Sequence, residues 1–284
     1  MSWAQALALA VLQGASELFP VSSLGHIVLV PALVHWRIDR AAPTFLAFVV
    51  ALHLGTAVAL VVYYRSEWAG LVRAVLASIV RGRLSDDPLE RVGWLVVVGT
   101  IPVGILGVFL EKPVRELFGS TALVAGFLVL NGLGMFAGEA LKQRARRGTG
   151  GTRSLPALGF GRAVGVGFAQ ALALLPGISR SGAAIAAGLL CDLPHEDAAR
   201  YAFLLATPVI GAASLLELPK LFAPAAHGVL AQAAVGGVVA GLAAYASVAF
   251  LVRYFRSNDL RPFGWYCVAL GALCLVLVRL GAIA

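Results

Sequence analysis

Long apolar runs alternate with short charged connections along this chain. Six of the runs approach the ~20 residues that a helix needs to cross a bilayer. They predict spans over Thr44–Tyr64, Val92–Leu110, Thr121–Ala140, Ala199–Glu217, Val229–Val252 and Phe263–Ile283. Small residues such as Gly236-Gly237-Val238-Val239-Ala240-Gly241 suit close helix packing in lipid. Trp94, Trp265, Tyr63, Tyr64 and Tyr266 fall near span ends, where aromatic side chains meet the interface. Two further runs are interrupted: Trp3–Val34 by Pro20, and Arg162–Leu190 by Pro176-Gly177. Each half is only about 10–14 residues, too short to cross. Broken helices survive at membrane depth only where protein or a water-filled cavity surrounds them. Both breaks are therefore expected to be re-entrant hairpins lining an interior site.

Composition agrees with that pattern. The chain is 60% hydrophobic and 13% charged, against about 25% charged in soluble domains. An all-α integral membrane protein follows, with residues 1–284 as one membrane domain. The net charge of +8 sits in a few connections, which points to membrane topology. No interleaving of basic and aromatic residues suggests nucleic acid as a partner. Cys191, Cys267 and Cys274 lie in or beside apolar runs without metal-ligand spacing, as buried free thiols do. The opening stretch lacks the basic start of a signal peptide and is expected in the mature protein.

Basic residues orient the spans. Arg65, Arg73, Arg81, Arg83 and Arg91 follow the first span. Lys142, Arg144, Arg146, Arg147, Arg153 and Arg162 follow the third, and Arg253, Arg256 and Arg261 the fifth. The intervening connections carry only Lys112 and Arg115, and Lys220. The positive-inside rule puts the first set in the cytoplasm, including the loop 141–159, and both termini outside. One hairpin then enters from the outer face and the other from the inner face, each followed by three spans. Gln13 to Pro20 and Ser23 echoes Gln170 to Pro176 and Ser179. The expectation is an inverted-topology repeat, about 1–140 and 160–284, with its site between the paired interruptions.

The first break reads Gln13-Gly14-Ala15-Ser16-Glu17-Leu18-Phe19-Pro20-Val21-Ser22-Ser23-Leu24-Gly25-His26. A carboxylate, hydroxyls and an imidazole in apolar surroundings are costly without partners, and mark a functional site by default. The second break reads Leu175-Pro176-Gly177-Ile178-Ser179-Arg180-Ser181-Gly182. An arginine among small residues at a helix start suits an anion, because free N–H groups and a planar guanidinium match phosphate oxygens. Glu17 is a poor neighbour for phosphate unless a divalent cation bridges them. Mg²⁺ commonly binds through a carboxylate plus substrate phosphates. His26 can act as general acid or base. Ser23 or Ser22 is a candidate nucleophile, and a metal-activated water is the alternative. Together these groups fit hydrolysis of a phosphate or diphosphate on a membrane-embedded substrate.

Bland readings stand beside these. Ser22 and Ser23 could serve only as helix caps, Glu17 and Arg180 only as a structural pair, and His26 as a satisfied core histidine. His35, His53, His195 and His227 read as packing or interfacial residues. Glu139, Asp192, Glu196, Asp197, Glu217 and Asp259, at span ends, read as solvated.

Gln13-xxx-Glu17, Pro20-Val21-Ser22-Ser23-x-Gly25-His26 and Pro176-Gly177-x-Ser179-Arg180-Ser181-Gly182 together resemble the undecaprenyl-diphosphatase family of the bacitracin-resistance type. The resemblance covers the whole chain in length, motif order and hydrophobic plan. It implies dephosphorylation of undecaprenyl diphosphate, which recycles the lipid carrier for cell-wall synthesis at the bacterial inner membrane. It also implies a divalent cation (Mg²⁺, or Ca²⁺), a site opening outward, an inverted-repeat bundle and a homodimer. Carried over, Glu17 and Gln13 fall on the family's metal-binding element, and Ser23 and His26 on its catalytic serine and histidine. Arg180 falls on its diphosphate-binding arginine, with Ser22, Ser179, Ser181 and Gly182 around the substrate. Gln13 stands where some members have a second glutamate, and Leu24 and Ala184 where threonine is common.

Two rivals remain. A polyprenyl-phosphate flippase or anion carrier could use the same inverted repeat. The discriminating feature is His26 beside Ser23 and Glu17, since holding an anion needs no proton-transfer group. The type-2 phosphatidic acid phosphatase signature would require histidine where this chain has Ala186, and that reading fails.

Overall fold

The computed structural model describes residues 1–39, 42–117, 119–149, 153–223 and 228–283, without the side chains of 111–116 and 145–149. Outside the described residues lie His227 and residues 150–152 of the 141–159 connection. The side chains of Lys112, Arg115, Arg146 and Arg147, used in the charge argument, lie outside them too. The described residues form eleven α-helices and no strand: α1 (Trp3–Leu18), α2 (Ser23–Leu33), α3 (Pro43–Tyr63), α4 (Arg65–Arg81), α5 (Pro88–Leu117), α6 (Thr121–Thr149), α7 (Phe160–Ala171), α8 (Arg180–Leu190), α9 (His195–Glu217), α10 (Leu230–Tyr254) and α11 (Arg261–Arg279).

Six helical stretches are long and apolar enough to cross a bilayer: Pro43–Tyr63, Pro88–Leu110, Thr121–Arg144, His195–Phe222, Leu230–Tyr254 and Arg261–Arg279. They match the six expected spans to within a turn or so at their ends. Their outward faces are apolar, with Val108, Phe109, Leu216, Leu242 and Trp265 all exposed. In water such a surface would be unfavourable; in lipid it is the solvated face.

Both interrupted runs fold as pairs of short helices, α1 with α2 and α7 with α8. α1 packs along α10, and α7 along α5. A Cβ on Gly14 would lie 2.2 Å from the Ala240 carbonyl oxygen, and one on Gly167 2.4 Å from that of Gly99. Backbones this close admit only glycine, and the short helices are seated by van der Waals packing. α3 lies against α10 and α9, and α6 against α11. Tyr201 closes the middle, its hydroxyl donating to the Leu95 carbonyl at 2.7 Å.

Two expectations are corrected. The connection after the first span is largely helical, as α4, and its Ser78 hydroxyl accepts from Trp94 Nε1 at 2.8 Å. Leu71 and Ser78, seven residues apart, form its buried face. Glu139 is buried, because Glu139 Oε1 accepts from His195 Nε2 at 2.7 Å and from the Leu260 N–H at 3.0 Å. The cysteines are free thiols, with Cys267 and Cys274 buried.

Candidate active site

α1 carries Gln13 and Glu17 four residues apart, so both lie on one helix face. The helix stops at Leu18. Pro20 has no N–H to continue it. Stopping inside an apolar bundle leaves carbonyls that need donors. Ser181 Oγ donates to the Phe19 carbonyl at 3.1 Å, and Asn131 Nδ2 to the Pro20 carbonyl at 3.1 Å. Asn131 Oδ1 in turn accepts from the Ser179 N–H at 2.9 Å. One amide on α6 thus fastens both breaks to each other.

The helices that leave the breaks begin alike. Ser22 caps α2, its Oγ accepting from the Gly25 N–H at 3.2 Å. Ser179 caps α8, its Oγ accepting from the Gly182 N–H at 3.2 Å. Ser22 holds φ at 69°, a strained setting for a residue with a side chain. Gly177, at φ 108°, faces the Val124 carbonyl so closely that a Cβ would lie 2.3 Å from it. Only glycine turns the chain there.

The breaks meet at Glu17. Arg180 Nη2 donates to Glu17 Oε1 at 2.9 Å. Ser23 Oγ donates to Glu17 Oε2, and Gln13 Nε2 stands 3.4 Å from that same oxygen. His53 Nε2 lies 3.5 Å from Glu17 Oε2, while His53 Nδ1 donates to the Val49 carbonyl at 2.9 Å. A cavity of about 110 Å³ opens beside this cluster, lined among others by Glu17, Ser22, Ser23, His53, Ser179 and Arg180. Among the described residues, the buried polar atoms without a partner include Arg180 Nη1 and Gln170 Oε1. Both side chains line the cavity. A guanidinium nitrogen without a protein partner beside a polar cavity suits an anion's oxygen.

The structure sorts the expected site residues. Glu17, Ser22, Ser23, Ser179 and Arg180 share the cavity. His26 is turned away, Nδ1 donating to the Ser22 carbonyl at 2.7 Å and Nε2 lying 2.7 Å from the Tyr266 hydroxyl, with the rings stacked. Neither nitrogen is hydrogen-bonded to Ser23 or Glu17 in this arrangement. Gln13 has both ends engaged, since Oε1 accepts from Thr56 Oγ1 at 3.2 Å. It orients Glu17. Ser181 and Gly182 join the breaks instead of facing the cavity. A Cβ on Gly182 would lie 3.3 Å from Pro20 Cβ.

Sequence reasoning missed three residues. His53 read as a packing histidine although it lies mid-span, where an ionisable group is unusual. Asn131 and Gln170 are amides inside apolar helices, the sort of polar residue that binds helices together or faces a cavity.

Among the described residues no three His, Cys, Asp or Glu side chains are grouped for a metal. A cation here would take Glu17, with His53 beside it, and draw its remaining ligands from substrate oxygens and water, as Mg²⁺ sites commonly do. A larger cavity, about 490 Å³, lies around Lys142, His195 and Arg256. There His195 pairs with Glu139 and Arg256 with Glu196, and the cavity lacks a comparable convergent set.

Comparison with known proteins gives a consistent result. The family described as "Bacitracin resistance protein BacA" matches residues 6–273. The chain is similar to undecaprenyl-diphosphatase 2 of Chromobacterium violaceum, at 49% identity over 97% of this chain and 99% of the relative. It is similar to the undecaprenyl-diphosphatase of Acidiphilium cryptum, at 48% identity over 98% of each. Undecaprenyl-diphosphatase 1 of Burkholderia pseudomallei is 48% identical over 94% of each.

Proposed function

The chain belongs to the bacitracin resistance protein BacA family, and from that premise we propose how its site works. The protein is a membrane-embedded phosphatase that hydrolyses undecaprenyl diphosphate to undecaprenyl phosphate and phosphate. A cell-wall role and bacitracin resistance fit the family. One observation carries the site: Arg180 and Ser23, from different breaks, both bond Glu17 beside a cavity in which Arg180 Nη1 has no partner.

The diphosphate head enters that cavity, and its oxygens take the free Arg180 N–H groups. Glu17 accepts the proton of Ser23, whose oxygen attacks the terminal phosphorus while undecaprenyl phosphate leaves. Water then releases the phosphoryl group from Ser23, and the proton returns through Glu17. Gln13 and Thr56 fix the rotamer of Glu17. His26 holds the Ser22 carbonyl, and through it the turn that aims Ser23. A divalent cation held by Glu17, for which the family resemblance implies Mg²⁺ or Ca²⁺, would neutralise phosphate charge.

We read α1–α2 and α7–α8 as re-entrant hairpins of an inverted repeat. Support comes from the matched serine caps and from the exchanged packing, α1 on α10 and α7 on α5. A two-fold axis relating the halves would exchange those pairs. We read it as an inner-membrane protein with its site opening outward, a reading taken from the family resemblance, with the positive-inside distribution of charge supporting the orientation of the spans. The homodimer rests on family resemblance, and sedimentation in detergent tests it.

Purified protein should release phosphate from farnesyl or undecaprenyl diphosphate with Mg²⁺, and EDTA should abolish release. Labelled lipid that crossed the bilayer without any phosphate release would overturn the phosphatase reading in favour of a carrier.

A further inference from the structure

His53 has no assigned part in the reaction above, yet its Nε2 atom faces the most heavily bonded oxygen in the site. Its Nδ1 atom lies 2.9 Å from the Val49 carbonyl. A carbonyl only accepts, so Nδ1 carries a proton. In the neutral ring Nε2 then has a bare lone pair 3.5 Å from Glu17 Oε2. Two lone pairs facing each other repel, so a positive species belongs between them. A proton on Nε2 would make the pair an ion pair at 3.5 Å, and a divalent cation is the other positive species the gap admits. Two atoms that each bond one small cation at about 2.0–2.2 Å are held apart by roughly the distance observed. The backbone bond at Nδ1 is also what orients metal-bound imidazoles in general.

Resting on the phosphatase reading, we propose that His53 Nε2 is a ligand of the site's divalent cation, paired with Glu17. The mixed nitrogen and oxygen pair then favours Mn²⁺, Co²⁺ or Zn²⁺ over Mg²⁺ and Ca²⁺. Imidazole suits the transition ions, whereas the hard ions take oxygen almost alone. His26 cannot supply that nitrogen, because both its ring atoms are engaged with Ser22 and Tyr266.

The test loads full-length protein in detergent with Mn²⁺ and records the electron spin echo. Wild type should show the nitrogen modulation of a bound imidazole, and His53→Gln should lose it. Mn²⁺ affinity, by titration calorimetry, should weaken about tenfold or more in His53→Gln, with Mg²⁺ affinity changing much less. His53→Asn provides a second variant, and thermal melting selects whichever variant is folded. Wild type without nitrogen modulation, or variants with undiminished modulation, would overturn the proposal. Phosphate release with Mg²⁺ is scored separately. Release without a nitrogen signal removes His53 alone, whereas a nitrogen signal without release under any metal removes the phosphatase reading.

Discussion

The two helix breaks are built alike and equipped oppositely. Each ends in a serine that caps the departing helix with the same 3.2 Å bond to the N–H three residues on. The first, Phe19–Ser22, is short and leaves acceptors: Glu17, and the carbonyls of Phe19 and Pro20. The second opens with a 3₁₀ turn at Leu172–Leu174 and needs Gly177 to reverse the chain. It delivers donors: Arg180, Ser181 and the Ser179 N–H. Arg180 and Ser181 of the second break bond Glu17 and the Phe19 carbonyl of the first, and Asn131 ties the Pro20 carbonyl to the Ser179 N–H. Docking the hairpins and building the site are therefore one event, and the group proposed to recognise phosphate is also the group that pairs with buried Glu17.

The largest effect should follow from removing that group. Arg180→Ala leaves Glu17 buried without its partner, which costs about 3–5 kcal/mol. It also removes the phosphate-binding fork, so release from undecaprenyl diphosphate should fall about 10³-fold. Arg180→Lys restores the charge without the fork and should recover more stability than rate. Thermal melting and initial rates separate the two. An Arg180→Ala protein that melts and turns over like wild type would end the idea that the breaks complete each other.

Ser23→Ala should stop turnover almost completely while the fold survives, because the proposed nucleophile is lost and Glu17 keeps Arg180. Ser22→Ala and Ser179→Ala each remove a cap, at about 1 kcal/mol apiece, and Ser179→Ala also removes a 3.1 Å contact with Ser181 Oγ. Both should lower the melting temperature, Ser179→Ala by more. A phosphoryl group retained on denatured protein after a brief reaction identifies Ser23 directly. Rapid turnover by Ser23→Ala would transfer the attack to water.

Much of this was legible in the chain. Run length located all six spans, and proline within an apolar run located both breaks. Burial of charge in lipid made Glu17 and Arg180 conspicuous, and they do pair. What escaped was direction. His26 is nine residues from Glu17 along the chain, and His53 thirty-six, but α2 turns His26 toward Tyr266 while α3 turns His53 toward Glu17. Sequence distance ranked the two in the wrong order because helix phase and helix packing decide which face meets the cavity. Asn131 escaped for a related reason. Its role exists only where three segments distant in sequence converge, so no local pattern encodes it. α4 was hidden by counting its arginines as loop charge without asking for a helical period.

The smallest effect tests that reversal of histidines. Tyr266→Phe removes the hydroxyl 2.7 Å from His26 Nε2 and leaves a buried ring nitrogen unpaired, at about 1–3 kcal/mol. The melting temperature should drop. Turnover at saturating substrate should stay near wild type, because the bond from Nδ1 to the Ser22 carbonyl survives and keeps Ser23 in place. His26→Ala loses that bond too and should slow turnover moderately, since Ser22 then has less to hold its strained φ of 69°. The pH profile separates positioning from proton transfer: in a positioning role His26→Ala lowers the curve without moving its limbs. A lost limb in His26→Ala, with Tyr266→Phe equally inactive, would return His26 to the reaction and require the α2 hairpin to turn toward the cavity during turnover.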